Sequence, residues 1–74
     1  MDLNEATEEN LAFIIDELAT KLAVVNRSIM DAKDYDLAHY NEIKSLYDMV
    51  LMKGQLSVPE TQAFIQELGQ YRKA

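Results

Sequence analysis

Leu11, Ile15, Leu18, Leu22, Val25 and Ile29 recur alternately four and three residues apart. A period of 3.6 residues gathers these side chains onto one stripe of a helix, and Ile14 widens that stripe. Asp16, Thr20 and Arg27 fall on the opposite side. No β-strand uses such a spacing, because its faces alternate every residue. The whole chain of 74 residues holds only two glycines and one proline, so most of it has nothing to interrupt a helix. The spacing therefore predicts a first helix over about 8–28, roughly 30 Å long at 1.5 Å per residue. Thr7 is placed to cap it, with Asn4 as the competing cap, and Glu8 and Glu9 favour the positive end of the helix dipole.

The same reasoning gives two more helices. Asp36 caps a second one over about 37–53, where Tyr40, Ile43, Leu46, Tyr47, Val50 and Leu51 form an apolar stripe. Asn41, Glu42, Ser45 and Asp48 take its other face, and Gly54 supplies the left-handed residue that often ends a helix. The stretch LSVPE follows. Ser57 and Glu60, three apart, make a capping box, and Pro59 sits in the first turn, where its missing N–H costs little. A third helix over about 59–71 turns Thr61, Phe64, Ile65, Leu68 and Tyr71 inward, weakened near its end by Gly69. Arg72 and Lys73 suit the negative end of its dipole. Three amphipathic helices with short connections pack most simply as an antiparallel three-helix bundle, a single all-α domain over residues 1–74 with a radius of gyration of about 11 Å.

Composition narrows the function. Acids outnumber bases 13 to 7, giving a net charge of −6 that opposes binding to nucleic-acid backbones and to anionic membranes. There is no cysteine, so no disulfide or thiolate metal site staples the chain, which suits a reducing cytoplasm. The longest apolar runs, LAFII and MVLM, are too short to span a bilayer, and the first residues do not read as a signal peptide.

Four local patterns invite chemistry. DAKDYDLAHYNE, residues 31–42, has the length and the acidic ends of a helix-flanked calcium loop. It fails inside, with Lys33 and Tyr35 where oxygen ligands belong and Asp36 where a glycine is required. Asp31 and Asp34 read better as turn formers and Asp36 as a cap. His39 stands between Asp36 and Glu42, but one histidine without cysteine falls short of a zinc set. Ser28, Ser45 and Ser57 have only His39 as a base, and no glycine-rich phosphate loop exists, so no catalytic, cofactor or metal residues are assigned. The two helices around KGQLSVPE also invite comparison with a helix-turn-helix, though Glu60 faces phosphates unfavourably and the basic pair Arg72–Lys73 lies at the wrong end.

Some apolar residues are not absorbed by the stripes. Phe13 and Val24 are eleven apart, three turns, and share a direction on the polar side of a continuous first helix. Met49 and Met52 lie off the main stripe of the second helix, and methionine adapts to irregular binding faces. These four residues are the candidate interaction surface. A scatter of lone surface apolars, or a covered seam between helices, accounts for the same residues without a partner.

KLAVVN (21–26), LYDMV (46–50) and ELGQYRK (67–73), with LSVPE between the last two, resemble the YfkK-like family of small uncharacterised proteins of Bacillus-type Gram-positive bacteria. The resemblance covers nearly the whole chain and implies a small cytoplasmic helical protein, with no activity or site residues to carry over. The expectation is a protein-interaction or self-association module without catalysis, partnered by a second copy or another protein and needing no cofactor or small-molecule substrate. The alternative is a small regulatory nucleic-acid binder of helix-turn-helix type.

Overall fold

Thr7 starts the first helix. Its backbone is extended and its hydroxyl accepts the Asn10 N–H at 3.1 Å, so Thr7 and not Asn4 is the cap. In this computed structural model residues 2–24 and 30–73 are described. They form three α-helices, α1 (Glu8–Lys21), α2 (Tyr40–Lys53) and α3 (Val58–Gly69), with 3-10 turns at Ala32–Asp34 and Leu37–His39. No helix among the described residues is long and apolar enough to cross a membrane.

The first helix is shorter than its apolar period. α1 stops at Lys21, and Ala23 takes a left-handed backbone with φ 56°. The Val24 N–H reaches back to the Ala19 carbonyl at 2.8 Å and the Ala23 N–H to the Thr20 carbonyl at 3.1 Å. That pair of bonds is a Schellman stop, built here with alanine where glycine is usual. A continuing helix would leave Val24 beside Phe13 on the solvent side. The stop instead buries Val24 to 9 % exposure against the core that holds Leu18 and Ala19. Burying a valine contributes about 1.5–3 kcal/mol. The left-handed alanine costs about 1–2 kcal/mol, so the reversal is favoured. Val25 and Ile29, read as the end of the stripe, lie outside the described residues, as do Arg27 and Ser28.

The other boundaries follow the local chemistry more closely. Asp36 caps by accepting the Ala38 N–H at 3.0 Å, but its helix opens as the 3-10 turn before α2 begins at Tyr40. Gly54 ends α2, but in a γ-turn with φ 72° and ψ −78° rather than the expected left-handed helical stop, the Gln55 N–H donating to the Lys53 carbonyl at 2.9 Å. The capping box forms at Ser57, whose N–H and hydroxyl donate to Glu60 Oε1 at 3.1 Å each, while Ser57 Oγ accepts the Glu60 N–H at 3.3 Å. α3 ends at Gly69, two residues before its expected limit.

Leu11, Ile14, Ile15 and Leu18 of α1 meet Tyr40, Ile43, Tyr47 and Val50 of α2 and Phe64 and Leu68 of α3 in one core. Met30 and Tyr35, from the connector, are also buried there. The radius of gyration is 11.3 Å, as expected for the length. The described segments before α1 and after α3 are both tied down. Buried Asn10 donates through Nδ2 to the carbonyls of Asp2 at 2.7 Å and Glu5 at 2.9 Å, and Tyr40 Oη donates to the Leu3 carbonyl at 2.5 Å. After α3 the chain pairs with the connector, the Asp36 N–H donating to the Tyr71 carbonyl at 3.1 Å and the Lys73 N–H to the Asp34 carbonyl at 2.6 Å. Arg72 bonds Asp34 at 3.1 Å rather than lying on the end of α3.

Candidate functional site

The connector spends its carboxylates on its own folding. Asp31 Oδ1 accepts the Lys33 N–H at 3.0 Å, Asp36 caps the next turn, and Asp34 holds Arg72. Tyr35, the fifth position of the would-be loop, is buried in the core. Among the described residues no group of three or more His, Asp or Glu side chains is placed to share a metal ion. His39 packs its ring on Tyr71, centroids 5.3 Å apart, with Glu42 at 4.0 Å. Ser57 is committed to the capping box.

The four residues of the candidate surface part company. Val24 is core. Phe13 is 37 % exposed on α1, whereas Met49 and Met52 are 48 % and 87 % exposed on α2. Leu51, expected to face inward, is 45 % exposed instead. Val58, at the start of α3, is exposed as well.

Of the four candidate residues Met49 lines a groove between two helices, while Val58 lines a separate cleft of about 450 Å³ beside Leu22, Gly54 and Thr61. The groove, of about 310 Å³, runs between α2 and α3, lined by Leu46 and Met49 on one side and by Glu60, Ala63, Phe64 and Glu67 on the other. No residue of α1 lines it, and neither Phe13 nor Met52 reaches it. Its geometry follows from helix periodicity. Leu46 and Met49 are three apart on α2, while Glu60, Phe64 and Glu67 step by four and three along α3. Phe64 is 8 % exposed and closes the floor; Ala63, too small to fill the gap, leaves it open.

One end of the groove is pinned. Lys53 Nζ bonds Glu60 Oε2 at 2.7 Å, joining the end of α2 to the start of α3. That ammonium, with the backbone and hydroxyl hydrogen bonds from Ser57, holds the Glu60 carboxyl down to about 2. Glu60 is therefore ionised at any ordinary pH and keeps its ion pair with Lys53 at that end of the groove. Sequence reading missed the groove because Leu46 and Phe64 count as core on their own helices. Only the pairing of α2 with α3 reveals a shared cleft. The available signal was Ala63 flanked by Glu60 and Glu67, a small residue between two acids two turns apart.

Comparison with known proteins finds relatives of the same size. Residues 3–73 match the family described as protein of unknown function DUF1128. The chain is 52 % identical over 73 residues to a UPF0435 protein of Oceanobacillus iheyensis, covering 99 % of this chain and 100 % of the relative. It is 41 % identical over 73 residues to a UPF0435 protein of Halalkalibacterium halodurans, again covering 99 % and 100 %. A third UPF0435 protein, from Listeria innocua, is 34 % identical over the same length, with 99 % and 100 % covered. No solved structure matches. The chain belongs to this family of small proteins of unknown function, and the match extends over nearly all of it.

Proposed function

We propose that this DUF1128 protein is a cytoplasmic protein-interaction module that acts without catalysis, and that it docks a partner in the α2–α3 groove. The observation carrying this reading is the groove itself: half-buried Leu46 and exposed Met49 and Ala63 line an apolar cleft floored by buried Phe64. Its volume is at the lower end for small-molecule pockets and suits one or two apolar side chains of a protein. Met49 supports an adaptable contact, since its thioether chain changes shape at little cost. The YfkK-like resemblance is compatible with the same reading and adds no chemistry to it.

Site-directed photo-crosslinking in the native cell tests it. A photoreactive side chain placed at Met49 or Ala63 should yield a discrete adduct. The same group at Lys33, exposed on the connector, serves as the control. Adducts of equal yield from all three positions, or from none, would rule the groove out as a docking site.

A further inference from the structure

We infer that the occupant of the α2–α3 groove is a basic amphipathic helix, presenting two apolar side chains one turn apart and a Lys or Arg toward Glu67. This rests on the docking role proposed above and names the chemistry of the partner.

Shape selects a helix. The groove wall from Glu60 to Glu67 covers seven steps of α3, about 10 Å at 1.5 Å per residue. Two anchors spaced by i, i+3 or i+4 lie about 5 Å apart along their own axis and fit that length. A partner strand gains nothing here. The walls are helices whose backbone groups bond internally, so no edge is offered for strand addition. The partner must satisfy its own backbone against an apolar floor, and a helix does so.

Charge selects the sign. Glu60 and Glu67 stand on the same rim. Glu60 is matched by Lys53 at one end, whereas Glu67 forms no ion pair with the described residues. The protein as a whole carries a net charge of −6. A second copy meeting this face symmetrically would set the same carboxylates against each other, which disfavours self-association through the groove. A cation placed beside Glu67 meets the unmatched charge, and the same net charge steers it in.

The test uses the full chain with its methionine methyl groups labelled for NMR, titrated with two synthetic helical peptides of about 20 residues, beyond the length at which an isolated helix is marginal. Both carry the same apolar face; one bears Lys on the polar face and the other Glu. The Met49 methyl should shift saturably with the Lys peptide while the buried Met30 methyl stays in place. The Lys peptide should bind about tenfold more tightly than the Glu peptide, with the gap closing as salt screens it. Glu67→Lys should erase most of that preference. Ala63→Arg, at an exposed helical position that keeps the fold by circular dichroism, should block both peptides. Equal affinity for the two peptides would overturn the basic partner and leave the groove standing as a docking site. No Met49 response to either peptide at about 1 mM would remove the docking site as well. A dimer by sedimentation with the Met49 methyl covered would assign the groove to a second copy and overturn the inference.

Discussion

The end of α1 rests on an alanine in a conformation alanine resists, and replacing Ala23 with glycine should make the protein more stable. A left-handed backbone brings Cβ against the following carbonyl at a cost of about 1–2 kcal/mol, and Ala23 sits there with φ 56°. Its methyl is exposed, so deleting it removes little buried surface. Glycine relieves the strain but has more freedom to lose on folding, about 0.5–1 kcal/mol relative to alanine. The net gain is up to about 1.5 kcal/mol, with a central value of about 0.75 kcal/mol. For a domain of this size 1 kcal/mol moves Tm by about 4–8 °C, so at the central value the variant should melt about 3–6 °C higher. Asn, which tolerates the left-handed region, should fall between Ala and Gly, and β-branched Val should lower Tm. Gly54 provides the converse. It has φ 72° and ψ −78°, a γ-turn rather than the left-handed helical conformation, and a methyl added there would meet nothing within 4 Å, so Gly54→Ala should cost about 1–3 kcal/mol through backbone strain alone. The measurements are thermal melts and urea titrations of the five proteins. An Ala23→Gly variant that melts below the parent would refute the Schellman stop and with it the early end of α1.

Other perturbations read other parts of the fold. Asn10→Ala removes both hydrogen bonds to the N-terminal carbonyls and should cost about 1–3 kcal/mol in urea titration, with faster amide exchange over residues 3–5. Glu60 has its pKa depressed below the unfolded value, so its contribution is present above about pH 4.5 and is lost as pH falls toward about 2. Acid titration of Glu60→Gln should accordingly show a shallower loss of stability through that window than the parent. Tyr35, Tyr40 and Tyr47 have pKa values raised chiefly by burial. The stability linked to them is fully present below pH 10 and is lost as pH climbs past it. Absorbance at the phenolate band should show these three ionising late, together with unfolding. Phenolate formation by all four tyrosines near pH 10 without unfolding would contradict the burial of these three.

Where the sequence was legible, a specific atom had a specific partner. Ser57 with Glu60, Thr7 and Asp36 each offer a side-chain oxygen to a free backbone N–H, and the three helix starts they mark are found within three residues. The stripes on α1 and α2 were also legible up to Leu22 and Val50, since burial follows helical periodicity. What was not legible came from competition between elements. The apolar period ran on past Leu22, but periodicity records which residues are apolar and not whether the backbone stays helical. The two diverge at Ala23, where turning the chain converts Val24 from a solvent-facing residue into core. Leu51 erred in the opposite direction: it lies at the edge of its stripe, and nothing packs over it closely enough to bury it.

The candidate surface divides by the same physics. Phe13 and Val24 were joined only by the assumption of one continuous helix, so the strip they defined dissolves where α1 ends. Met49 stays half-exposed beside the groove between α2 and α3. α1 packs against α2 with Leu11, Ile14, Ile15 and Leu18 fully buried, whereas the far seam of α2 with α3 is bridged by Lys53–Glu60 and floored by Phe64. Filling that seam should then separate stability from binding. Ala63→Leu would add apolar contact against Met49 and Phe64 in the groove, and about 0.8 kcal/mol per buried CH₂ applies to what becomes covered. The variant should melt higher and, if the proposed docking role holds, no longer bind the Lys peptide. An Ala63→Leu chain that gains stability yet still shifts the Met49 methyl with the Lys peptide would mean that the partner binds elsewhere.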